Sequence, residues 1–132
     1  MIKILFAVLL WTLPVLGKSL AVTDEAAQLG TMAGLAEACG ARRELEDYEL
    51  IAARLIANKS PSVEAEKAGY RRYAEEKLRA MRAHKAAPKL TCGEILNRFH
   101  KMPLFRSVVY KDGSLKFYDG TYYPAKGMYV SP

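Results

Sequence analysis

The stretch YKDGSLKFYDGTYY, Tyr110 to Tyr123, decides the fold class. It carries two Asp-Gly pairs, Asp112-Gly113 and Asp119-Gly120, seven residues apart and similarly flanked. Asp-Gly between apolar residues is a strong short-range hairpin signal. Phe105 to Tyr110, just upstream, is rich in the aromatic and β-branched residues that suit strands. Two tight turns at this spacing predict a three-stranded antiparallel β-meander of very short strands. Upstream of Leu104 the apolar residues recur with helical period, so the expected class is α+β, mainly α.

Working back from the sheet, Thr91-Cys92-Gly93-Glu94 reads as a capping box that opens a short helix with Ile95, Leu96 and Phe99 on its apolar side. Pro103 stops it. The preceding helix is expected over about 61–85, with Ser60 as cap and Pro61 in its first turn. Its apolar stripe is read as Tyr70, Tyr73, Ala74, Leu78 and Met81. Before that, residues 42–58 place Leu45, Tyr48, Ala52, Leu55 and Ile56 on one stripe. Glu44, Glu46, Asp47 and Glu49 fall in the early turns, where the helix dipole favours anions. A first helix runs from a cap at Thr23 or Asp24 to Cys39, with Gly40 as its left-handed stop. Within it Gly30, Gly34 and Ala38 form a ladder of small residues. Glycine inside a helix costs up to about 1 kcal/mol, and a close helix crossing in the same domain would offset that.

At the start of the chain, Met1-Ile2-Lys3 precedes an apolar run from Ile4 to Leu16, and Ser19-Leu20-Ala21 supplies small residues. That is the pattern of an export signal cut after Ala21, or after Gly17. The run is shorter than the ~20 residues of a spanning helix. The expected organisation is a signal peptide over 1–21, a helical domain over 22–103 and a meander over 104–132 packed on it. The brief signal and Ala/Lys-rich composition fit a bacterial cell, so the expected location is periplasmic or secreted. Removing Lys3 and Lys18 lowers the net charge from +6 to +4. That is too mild for a dedicated nucleic-acid binder.

An exported chain with two cysteines pairs them by default. A Cys39–Cys92 bridge closes a loop of about 50 residues, worth ~4 kcal/mol in the chain-entropy model. Helix geometry brings the two together. The second and third helices form an antiparallel pair, the third overruns the second, and residues 86–91 turn back to deliver Cys92 where Cys39 lies. A thiol nucleophile paired with His100 is not expected, and neither is a zinc site from Cys39, Cys92, His84 and His100, because no close-spaced ligand pair occurs. Both histidines read as surface or helix-end residues. No paired carboxylates, nucleophile–base pair or phosphate loop appears, so no catalytic residue, metal or cofactor is assigned.

Two surfaces remain as candidates. Seven aromatic rings fall between Phe105 and Tyr129, and a three-stranded sheet cannot bury both faces. Phe117, Tyr118, Tyr122 and Tyr123 are the candidate anchors for another envelope or secreted protein. Eight Lys and Arg lie between Lys67 and Lys89. Part of that charge is expected to pair with Glu44 and Asp47 through Arg71, Arg72 and Lys77. Arg79 and Arg82, with Lys85 and Lys89, overhang and could meet an anionic surface polymer or lipid headgroup. Asn58-Lys59-Ser60 also matches a glycosylation sequon, which would matter only in a eukaryotic cell. The functional expectation is a non-catalytic binding module: an inhibitor, an immunity-like protein or a secretion-system accessory.

Overall fold

The computed structural model of the protein describes residues 22–126, so the signal-peptide reading and Tyr129 lie outside the described residues. Among the described residues, four helices precede a small sheet. The first, α1, occupies 22–38; α2 is Arg42–Lys59, α3 Val63–Ala86 and α4 Cys92–His100. A 3-10 turn at Pro103–Arg106 leads to β1 (Val108–Val109), β2 (Leu115–Lys116) and β3 (Tyr122–Tyr123). The sheet is antiparallel in the order β1-β2-β3. The expected α+β class with its C-terminal meander is therefore the observed one.

The core is built around α2. Its predicted stripe of Leu45, Tyr48, Ala52, Leu55 and Ile56 is buried throughout, joined by Ile51 and Asn58. Tyr48 is fully buried against Phe99 and Phe105, with ring centroids 5.2 and 6.0 Å away. Its hydroxyl donates to the Leu29 carbonyl at 2.8 Å and so ties α2 to α1. Burying a ring of that size without a partner for its hydroxyl would be costly, and the bond removes the cost. Burial pushes the Tyr48 hydroxyl well above its ordinary pKa. Leu104 and Leu115 close the same cluster from the 3-10 turn and the sheet.

The small-residue ladder marks a close helix contact. A Cβ placed on Gly30 would overlap the carbonyl of Tyr73, and one on Gly34 the carbonyl of Lys77. Here α1 lies against bare α3 backbone, and Val22 meets α3 further back, at Gly69. These pairings ascend together, so α1 and α3 run in the same direction. Between α2 and α3 they descend: Tyr70 reaches Ala53 and Tyr73 reaches Glu49, giving the antiparallel pair expected.

Several expectations shift. Helical backbone is already present at Val22, so neither Thr23 nor Asp24 is the cap of α1. Ser62, not Ser60, caps α3 by accepting from the Ala65 amide at 3.1 Å. Ser60 instead ends α2, fully buried, its hydroxyl donating to the Ile56 carbonyl. The two hydroxyls divide the work: that of Ser60 turns back onto the last turn of α2, and the Ser62 oxygen meets the first free amides of α3. On α3, Ala74 and Leu78 face outward, whereas Glu66, Gly69 and Glu76 are buried. Thr91 caps α4 as predicted, accepting from the Glu94 amide at 3.1 Å. Phe105 belongs to the 3-10 turn and not to a strand.

The charge pairing also differs from expectation. Glu44 meets His100 (3.3 Å), and Arg72 meets Glu76 (3.0 Å) on its own helix. Lys77 bonds Glu49 (2.9 Å) and approaches Glu37 (3.4 Å). Lys59 pairs with Glu25. The α1–α3 contact draws Lys77 toward acids on two helices at once. Burial works against the charged lysine, but the Glu49 hydrogen bonds and charge outweigh it and raise its pKa.

Candidate functional site

The two Asp-Gly turns create the most distinctive surface. Each is a three-residue loop: Tyr110 and Ser114 close the first, Phe117 and Thr121 the second, through amide–carbonyl bonds of 2.9 and 2.8 Å. Gly113 and Gly120 adopt φ of +90°, the left-handed conformation that ends such a loop. Asp112 Oδ1 accepts from the Ser114 amide and Asp119 Oδ1 from the Thr121 amide, both at 2.9 Å. These bonds hold both carboxyls below their usual range. For Asp112 the Ser114 hydroxyl acts first, and for Asp119 the Thr121 amide.

Register then partitions the side chains. Val109, Leu115 and Tyr123 are cross-strand neighbours, and so are Val108, Lys116 and Tyr122. The first row faces the core, where Leu115 is fully buried and Val109 and Tyr123 pack beside it. The second row faces solvent, with Val108 45% and Tyr122 55% exposed. Of the four candidate anchors, Phe117 and Tyr123 hold the sheet to the helices, whereas Tyr118 (48% exposed) and Tyr122 point outward. The Tyr118 ring lies 4.5 Å from that of Phe117, tilted by 52°. Beside it opens a recess of about 220 Å³, walled by Leu29, Met102, Pro103, Leu104 and Phe117.

Asn58 anchors this surface and was not singled out as such by sequence. Its Nδ2 donates to the Gly113 carbonyl (2.8 Å) and toward that of Tyr123 (3.4 Å), while Oδ1 accepts from the Lys126 amide (3.5 Å). At 4% exposure it offers no room for a glycan, so the sequon has no use in the folded protein. Only the position of an amide at the end of α2, level with the turn, could have signalled this role. Glu66 was likewise missed. It is 1% exposed, and one carboxylate oxygen lacks a hydrogen-bond partner among the described residues. Burial, and then the Glu66 carboxyl, raise the pKa of neighbouring Tyr70.

The basic end of α3 is a separate place. Arg79 is paired with Glu76 at 3.0 Å, a contact within one helix turn. Arg82 is exposed, and the two arginines flank Leu78 in an open groove of about 650 Å³. Sheet residues take no part in that groove.

Cys39 and Cys92 form a disulfide with a Cα separation of 5.3 Å. Over it sits His84, its Nε2 3.7 Å from each sulfur. His84 also walls an apolar recess of about 300 Å³ with Leu35, Ala80, Leu90 and Ile95. The four residues considered for zinc are thus divided, three at the bridge and His100 on Glu44. Among the described residues, no helix is long and apolar enough to cross a membrane. Comparison with known proteins returns no match: no family model, curated protein or solved structure is similar to the chain.

Proposed function

We propose that the chain is an exported, non-catalytic protein-binding module, periplasmic or secreted, whose contact surface is the outer face of the C-terminal sheet. The observation that carries this reading is the division of the aromatic rings. Tyr118 and Tyr122 stand about half exposed, while Phe117 and Tyr123 fasten the same segment to the core. A tyrosine held on a fixed backbone offers apolar area at little entropy cost, as interface anchors do. Five Lys and Arg lie between residues 101 and 126, against two Asp that are engaged in turns, so an acidic protein surface fits best. Export is supported by the N-terminal pattern and by the disulfide.

The test is capture of partners from the native envelope by the mature protein, followed by affinity measurement with Tyr118→Ala and Tyr122→Ala. Truncating a central anchor should cost about 2 kcal/mol or more, with circular dichroism unchanged. Normal binding by both variants would overturn the reading.

A second reading, an anionic envelope component bound by the basic end of α3, is favoured by Arg82, Lys85 and Lys89. None of these has an ion pair among the described residues. Polyanion binding would collapse as salt rises and would fail in Arg82→Glu, while the tyrosine variants bind normally.

A further inference from the structure

We propose that Cys39, Cys92 and His84 form a latent metal site that closes on a thiophilic cation of the zinc class once the disulfide is reduced. This does not rest on the binding-module reading. The ligand atoms of the three residues lie within 4.8 Å of one another, and all three side chains are only partly buried. In a tetrahedral site with Zn–S about 2.3 Å and Zn–N about 2.0–2.1 Å, sulfur and nitrogen stand about 3.6 Å apart. His84 Nε2 is 3.7 Å from both sulfurs, so both sulfur–nitrogen edges of the tetrahedron are already set.

Only the sulfur–sulfur edge must change. It must open to about 3.8 Å, roughly 1.7 Å wider than a covalent bridge, which side-chain rotation can supply. The three ligands come from the last turn of α3, the start of α4 and the residue after α1. Three chain segments therefore fix the ligands, with no close-spaced pair in sequence. An imidazole merely shielding a disulfide would not need equal distances to both sulfurs.

The chemistry balances. A dithiol reductant delivers two electrons and two protons, leaving two thiols here and a disulfide on the reductant. The cation then displaces both thiol protons, and neutral His84 donates its Nε2 lone pair with its own proton on Nδ1. Two thiolates offset the charge of a divalent ion, and a fourth position is left for water or another donor.

The mature protein is tested with cobalt as a spectroscopic probe, with the disulfide intact and after anaerobic reduction by a phosphine. The reduced protein should bind one equivalent, with thiolate-to-cobalt charge transfer and tetrahedral d–d bands that zinc bleaches. The oxidised protein should show none. His84→Ala should weaken binding by roughly a hundredfold or more, since even partners outside the first shell are worth 10–100-fold. His100→Ala should leave it unchanged. Absence of the bands, or equal affinity in His84→Ala, overturns the proposal. Should reduction unfold the chain, cobalt must restore the helical circular dichroism of the wild type and not of His84→Ala. Failure to restore it also overturns the site.

Discussion

The two Asp-Gly turns are nearly the same object in sequence and very different objects in the folded protein. Both close on an Asx bond, and both end on a glycine at φ +90°. Yet the first is pressed against α2. Asn58 bonds the Gly113 carbonyl, Ser114 is 2% exposed, and a Cβ on Gly113 would stand 3.1 Å from the Arg54 guanidinium. A Cβ on Gly120 would meet nothing within 4 Å. The second turn is tied by the Tyr118 amide, which donates to the Ser107 hydroxyl at 3.0 Å. Local chemistry makes the turn, and what packs behind it decides whether it is an anchor or a display.

That contrast can be broken at its strongest point by Asn58→Ala. It strands the buried Gly113 carbonyl and removes the bonds to Tyr123 and Lys126, so denaturant unfolding should show a loss of about 2–3 kcal/mol. Ser107→Ala, the counterpart in the second turn, should cost below ~1 kcal/mol. Equal losses would mean that the turns are held alike.

Gly113→Ala and Gly120→Ala come next. Each pays about 1–2 kcal/mol for placing a Cβ in left-handed backbone. Gly113→Ala should exceed its twin by about 1 kcal/mol because it also crowds Arg54, a cost that overpacking commonly brings. Thermal melts of the two variants side by side read the difference.

Acid sharpens the comparison with a smaller effect. Both aspartates have lowered pKa values, so their contribution is complete above the ordinary value near 3.8 and is lost as pH falls through the depressed one. Below about pH 4 the Thr121 amide should lose exchange protection before the Ser114 amide does. The first turn retains its bond to Asn58 when its Asx bond fails. Simultaneous loss would contradict the tertiary pin.

Smallest of all should be the stability effects of Tyr118→Ala and Tyr122→Ala, within about 0.5 kcal/mol by denaturant titration. A loss above ~1 kcal/mol would make these rings structural and leave the sheet no surplus to present.

What could be read from the chain divides along similar lines. The α2 stripe, the Thr91 cap and both turns are set by residues within a few positions of one another, and all were legible. The disulfide was legible because helix lengths alone carry Cys92 back to Cys39. The inward face of α3 was not. Hydropathy favoured Ala74 and Leu78, but α1 approaches through Gly30 and Gly34 and packs against carbonyls of Tyr73 and Lys77. A contact made of backbone has no hydropathic signature, and Gly69, which lies inward against Ile56 of α2, has no side chain to mark that face. The cap of α3 lies two residues beyond the expected one because Ser60 and Ser62 are chemically equivalent in sequence. Only the folded protein shows the Ser60 hydroxyl on the Ile56 carbonyl and the Ser62 oxygen on the Ala65 amide. For the candidate surface, the cluster of rings could be seen but not its division, because strand alternation does not say which row faces inward. Leu115, fully buried, decided that. His84 does lie in the last turn of α3, as expected of a helix-end residue, but its approach to the bridge is not legible in sequence because it depends on three helix ends meeting.

The Cys39–Cys92 crosslink also sets how the molecule would carry a load. The bonded residues are 53 apart in sequence, and the ring they close contains all of α2 and α3. Tension between the two ends of the chain would cross that ring through a single covalent bond and never reach the α2–α3 hairpin directly. The contour hidden behind the bond is about 180 Å at full extension. Under force, α1 on one side and α4 with the sheet on the other would pay out, leaving a two-helix knot that lengthens only when the sulfurs part.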